Sequence, residues 1–240
     1  MKTKLKKSKT TTHYFAETRD YSKIVEIEAI FFRELVRART QFPSHASLQE
    51  NIHKMSLFID DFKGRELELT FGFDVSDPRK STSHKLFLGT RLSPARPGSA
   101  AESTHFFCLA DEDALLTKFH ADRDFDEGRV EKKPSSHVQS GGRIPPALKG
   151  KYEKIWWDPD VNKPRMPALP TCTALLWHWA FLEYQDNELP SKFLNNRWWH
   201  KLIKDAEGAI FTPFFEDGAR LMKQHPESGL INAFYCAVPK

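Results

Sequence analysis

Residues 115–125 alternate in character. Leu115, Thr117, Phe119, Ala121 and Phe125 fall on one side of an extended chain. Leu116, Lys118, His120, Asp122 and Asp124 fall on the other, and Arg123 alone interrupts the apolar side. Period two is strand geometry with one packed face and one polar face. Asp126-Glu127-Gly128 supplies a turn, because glycine tolerates the backbone angles that tight turns need. A second extended segment follows around Ser135–Gly141. Such a pair points to a sheet with one packed face and one polar face.

With the turn centred between Gly128 and Arg129, His120 falls opposite His137. Asp122 then faces Ser135, Asp124 faces Lys133, and Lys118 faces Gln139. Directly opposed residues share a face of an antiparallel pair. The expected polar face therefore carries imidazoles, carboxylates and amines together. A one-residue slip would send the whole set to the other side.

That set suits phosphoryl chemistry. Imidazole titrates near neutrality and passes a proton either way, so His120 and His137 could act as base and acid on a phosphodiester. Lys118 or Arg143 could stabilise charge on phosphoryl oxygens. Asp122 and Asp124 could orient an imidazole or hold a divalent metal. Gly141 and Gly142 could admit backbone amides close to a substrate. The spacing excludes a phosphate loop or a dinucleotide fingerprint. Two other readings use the same residues: a solvated face with Asp124–Lys133 as an ordinary cross-strand pair, or a ligand or nucleic-acid surface without catalysis.

Phe119-His120-Ala121-Asp122, followed by Pro134-Ser135-Ser136-His137-Val138-Gln139-Ser140-Gly141-Gly142, resembles a paired-strand pattern of poorly characterised bacterial proteins encoded near toxin–antitoxin and anti-phage loci. The match covers residues 115–143, with weaker similarity in the proline-rich segment and the helix that follow. The resemblance implies an antiviral-defence accessory or effector, with His120, Asp122, His137, Gln139 and Gly141 as the positions that matter. It also implies a protein partner encoded nearby.

The rest of the chain supplies the sheet and its cover. Tyr21 to Arg39 is an expected amphipathic helix, with Ile24, Ile27, Phe31 and Leu35 at three- and four-residue steps, Asp20 as N-cap and Arg33, Arg37 and Arg39 at its far end. After Pro43, Ser47-Leu48-Gln49-Glu50 reads as a capping box opening a second helix that runs to about Phe62. Two antiparallel helices on one sheet face is the simplest arrangement. Glu66–Phe73, His84–Leu92 and Thr104–Ala110 read as strands, and the hairpin adds two more. The expected fold class is α+β, an antiparallel meander of about five strands with N-terminal helices and a C-terminal helical region.

Residues 144–170 are rich in proline and tryptophan. Lys149, Lys151, Lys154, Trp156, Trp157, Lys163 and Arg165 interleave cations with aromatic rings, a pattern that binds single strands of nucleic acid or clamps a loop. Lys154, Trp156 and Trp157 join Gln139, Gly141, Gly142 and Arg143 as candidate substrate contacts. Thr173–Gln185 is an expected buried helix. Pro190 opens another that includes Trp198, and Phe211-Thr212-Pro213 begins a further one. The expected division is a basic tail over 1–19, an α+β domain over 20–143, a connecting segment over 144–170 and a helical region over 171–240 on the same core.

Composition narrows the setting. Net charge is +4, concentrated in an early lysine run that could touch nucleic acid or simply be solvated. The three cysteines are far apart and form no CxxC pair, which suits a reducing compartment and disfavours a zinc ribbon. No long apolar run marks a membrane span, so a cytoplasmic protein is expected. No cofactor is required by any motif. A divalent metal remains open, with His105, His120 and Asp122 as one candidate set. The leading expectation is nucleic-acid processing or toxin-like action by His120, His137, Asp122 and Lys118. The alternative is a non-catalytic adaptor that binds protein or nucleic acid.

Overall fold

A computed structural model describes residues 21–41, 46–60, 66–77, 82–93, 103–123, 136–160, 166–169 and 171–224. The fold is α+β. Strands β1 (Leu67–Asp77), β2 (Thr82–Leu92), β3 (Ser103–Ala110), β4 (Ala114–Arg123) and β5 (Ser136–Ser140) pair antiparallel in chain order, as the alternating patterns predict. The connecting segment adds two short strands. β6 (Lys154–Ile155) runs parallel to the start of β4, and β7 (Met166–Pro167) extends the sheet beyond β5.

One sheet face carries Leu69, Phe71 and Phe73 of β1 and Leu86 and Leu88 of β2, all buried. Over it pack α1 (Tyr21–Ala38), α3 (Thr173–Glu183), α4 (Glu188–Leu194) and α5 (Arg197–Gln224). Trp177 of α3 is the hub of this layer. Its ring centroid lies 4.8 Å from Phe71, 5.1 Å from Phe73, 5.2 Å from Phe31 and 5.9 Å from Phe193. Edge-on aromatic packing of this density orders a core as well as burying area.

The opposite face has a smaller core. Phe106, Cys108, Ala110 and Leu115 are buried there under Leu148, with Tyr152, Ile155 and Trp157 packed against them. Leu115 thus lies on the side opposite to the one its alternation predicts. A bulge explains the change: Leu109 pairs with Thr117, but Ala110 pairs with Leu115, so one extra residue inverts the parity of the first turn of β4.

Helix α2 (Ala46–Asp60) takes an unexpected place. Its first turn already contains Ser47, so that residue is no N-cap. The Ser47 hydroxyl instead donates to the Gly72 carbonyl at 3.1 Å and accepts from the Gly72 N–H at 3.0 Å. Asn51 Nδ2 donates to the Thr70 carbonyl at 3.0 Å. These bonds satisfy the outer edge of β1, so α2 guards a strand edge rather than lying flat on the sheet. The C-terminal helices also differ from expectation. The helix opened near Pro190 ends at Leu194, and Asn196 caps the next by accepting from the Trp198 N–H at 3.1 Å. That helix, α5, then runs through Pro213 instead of restarting there. Among the described residues, no helix is long and apolar enough to cross a membrane. The expected turn at Asp126-Glu127-Gly128, the Asp124–Lys133 pair, the Asp20 cap and the lysine run lie outside the described residues.

Candidate functional site

Alternation along β4 sends Lys118, His120 and Asp122 to the face away from the helices. β5 contributes His137 and Gln139 to the same face. The register pairs His120 with Gln139 and Asp122 with His137. It therefore differs by two residues from the expected pairing of His120 with His137. An even slip preserves which face each side chain occupies, so the cluster survives with its members rearranged.

The rearrangement matters chemically. His120 Nε2 lies 3.4 Å from Asp122 Oδ2, and His137 Nε2 lies 3.5 Å from the same oxygen. The histidines do not face each other across a gap; both converge on one carboxylate. His137 is buried, with 2% of its side chain exposed, and His120 nearly so, while Asp122 keeps 26% exposure. The convergence point is accordingly deep for the rings, and the Asp122 side chain, though partly exposed, keeps its Oδ1 buried.

Burial opposes ionisation of Asp122, but the hydrogen bond from His120 and the charge of both rings outweigh it and hold the carboxyl below its usual range. Burial pulls the Lys118 ammonium down to about 8, against the raising influence of Asp122. Lys118 Nζ donates to the Gly141 carbonyl at 2.9 Å and sits 3.3 Å from His120 Nδ1. Cross-strand from it, burial pushes the Cys108 thiol up to about 12, which disfavours the thiolate at neutral pH.

The glycine pair shapes the floor. Gly141 and Gly142 both have φ of 76°, a conformation that favours glycine. A Cβ on Gly142 would stand 3.2 Å from His120 Cε1, and one on Gly141 3.2 Å from Trp157 Cδ1. Trp157 Nε1 donates to the Gly142 carbonyl at 2.8 Å. The pair thus lets the chain double back against His120 and Trp157.

Lys118, His120, Asp122, His137, Gln139, Gly141, Gly142 and Trp157 therefore form one assembly. Arg143 is exposed beside it. Lys154 is held by an ion pair with Asp113, and Trp156 presents its ring to solvent at 71% exposure. His105 does not join the cluster. It lies on the helix-facing side, bonded through Nδ1 to Thr90 Oγ1 at 3.1 Å, so the set of His105, His120 and Asp122 is replaced by one with His137. His178, expected at the core edge, accepts from Trp199 Nε1 at 3.2 Å. The sequence reading missed Thr104, which stands opposite Asp122, and Phe106, which stands opposite His120. Their shared face was visible in β3, but their partners depend on a register that alternation does not encode.

One ligand atom each from His120, Asp122 and His137 lie within 4.8 Å of one another. This group could hold a metal ion. Two imidazoles and a carboxylate suit zinc, manganese or ferrous iron better than calcium. In comparisons with protein-family models, curated proteins and solved structures, none matches the chain.

Proposed function

We propose that this face is the active site of a metal-dependent hydrolase that cleaves a phosphodiester of nucleic acid. The observation that carries the reading is the convergence of both histidine Nε2 atoms on one Asp122 oxygen. A phosphate placed between the two rings as acid and base would have to displace Asp122. A divalent ion held by all three residues keeps the carboxylate where it is. Such an ion would supply Lewis acidity and a water acidified to near neutrality. The chain's own residues do the rest. Asp122 is ionised at neutral pH and ready to bind a cation. Lys118 places positive charge beside the site, and Gly142 leaves room for the His120 ring where a Cβ would press on it. Arg143 and the exposed Trp156 ring offer a phosphate contact and a stacking platform for an unpaired base. The resemblance in the hairpin supports a role for this activity in toxin-like or anti-phage defence, with a protein encoded nearby as a proposed further partner.

The exposure of Trp156 favours a second reading, a non-catalytic adaptor that binds nucleic acid or protein through the connecting segment. Hydrolysis of single-stranded RNA and DNA, with manganese or zinc added and then chelated, separates the two. The expected result is metal-dependent cleavage lost in His120→Ala and His137→Ala, with Trp156→Ala raising KM and sparing kcat. Full activity in both histidine variants would sink the hydrolase. Binding without cleavage, abolished by Trp156→Ala alone, would establish the adaptor.

A further inference from the structure

The helix-facing side of the same strands holds a cleft. Residues that alternate with the metal-binding set, Phe119 and Ala121 on β4, line a cleft of about 770 Å³ under α3. His105, Phe107 and Leu109 of β3 share the floor with His84 of β2, His120 of β4 and Val138 of β5, and Trp179, Ala180 and Glu183 of α3 form its wall. The cleft exists because α3 turns Trp177 and Phe181 toward β1 and leaves its Trp179 side over β3 and β4. Its volume falls within the range of small-molecule sites, roughly 300–1,000 Å³.

We propose that this cleft binds a small aromatic cation, an arylalkylamine in chemical class. Three observations select that class. The Phe107 and Phe119 rings stack on each other with centroids 5.4 Å apart at 9°, a fixed aromatic pair among the lining residues. Phe119 is 37% exposed and Trp179 40%, so two aromatic surfaces in one cleft stand in water that a flat ligand would displace. Glu183 and Asp186 supply carboxylates, and no lysine or arginine lines the cleft among the described residues, although the chain as a whole is basic. Negative charge beside aromatic faces attracts an ammonium group and repels phosphate. The cleft is thus no extension of a nucleic-acid surface.

The site is also built in advance. Asn187 Oδ1 accepts from the Ser76 N–H at 2.8 Å, and its Nδ2 donates to the Ser76 carbonyl at 3.2 Å, tying the rim after α3 to the end of β1. At the floor, His105 is oriented by Thr90, which in turn bonds Thr173 Oγ1 at 2.8 Å. The Thr173 N–H donates to Glu28 at 2.8 Å. A polar chain of this length through a core serves to fix the imidazole where it meets the cleft.

The inference requires no bound metal, although His120 borders both the cleft and the metal-binding set, and its test reads binding alone. Calorimetric titration would compare tryptamine with indole-3-propionate, which shares the ring but carries the opposite charge. Tryptamine should bind one per chain, at least about tenfold more tightly than the acid. Combined Glu183→Gln and Asp186→Asn substitution should erase the preference. Phe119→Ala should weaken tryptamine by about tenfold with the melting temperature little changed. Absence of tryptamine binding, equal affinity for the two probes, or wild-type binding by Phe119→Ala would each overturn the proposal.

Discussion

Glu28 is a carboxyl group shut away from solvent. It is buried in α1, where its Oε1 accepts from the Thr173 N–H, and burial pushes its pKa up to about 7 from 4.5. The sign follows from linkage. Below about pH 4.5 both folded and unfolded chains carry the proton, and the contribution is complete. Between about pH 4.5 and 7 the unfolded chain ionises first, so stability falls. Above 7 the loss is full, about 3 kcal/mol at 1.36 kcal/mol per pKa unit. Glu28→Gln should therefore be more stable than wild type at pH 8 and lose that advantage near pH 5, as read by urea denaturation. Parallel pH profiles for the two proteins would refute the assignment. The glycines offer a second residue-scale comparison. Gly142 and Gly150 share a left-handed φ, yet a Cβ on Gly150 meets nothing within 4 Å. Alanine at either position should cost about 1–2 kcal/mol of backbone strain. Only Gly142→Ala should also disturb the His120 ring and weaken metal binding. The sequence marked Gly141-Gly142 as a place of close approach. It could not say that the approaching groups are His120 and Trp157, because those contacts depend on how the connecting segment folds back.

At the scale of elements, alternation carried the face of each side chain but not its partner. His120, Asp122 and His137 were legible as co-facial because a period of two encodes parity. The pairing was not legible, since it depends on where the sequence between β4 and β5 reverses direction, to within a residue. The bulge at Leu109/Ala110 marks the same limit, because nothing in the local residue pattern announces an extra residue. Edge protection by α2 was hidden for a different reason: Ser47 fits a helix cap as well as it fits a bond to Gly72. That role is testable. Asn51→Ala removes the donor to the Thr70 carbonyl and should cost about 1–2 kcal/mol in urea denaturation. It should also raise concentration-dependent association, since a strand edge is then less well covered. An unchanged midpoint would show that water replaces the amide without loss.

The whole molecule is a sheet used on both faces. One carries an aromatic core under helices, the other a small core and a polar cluster beneath residues 144–157. The first was legible in the apolar periods of β1 and α1, but not in α3, which is apolar nearly all round: the steps through Leu175, Trp179 and Leu182 suggest one buried face, whereas Trp177 and Phe181 are the buried rings and Trp179 and Leu182 are exposed. The second was not, because a proline-rich segment gives no period from which to predict what it covers. Trp177→Ala should cost about 3–5 kcal/mol, enough to unfold a marginal domain, whereas Trp156→Ala should stay within about 0.5 kcal/mol. Reversed magnitudes would mean that the core lies elsewhere. The central claim is the metal centre on the second face, and the most direct measurement is calorimetric titration of chelator-treated protein with zinc and manganese at neutral pH. One ion per chain is expected, with Asp122→Ala and His137→Ala each weakening binding by well over about tenfold, the lower end of what losing even an outer hydrogen-bond partner of a metal ligand costs. Absence of binding in the wild type, or equal binding in all three proteins, would contradict it.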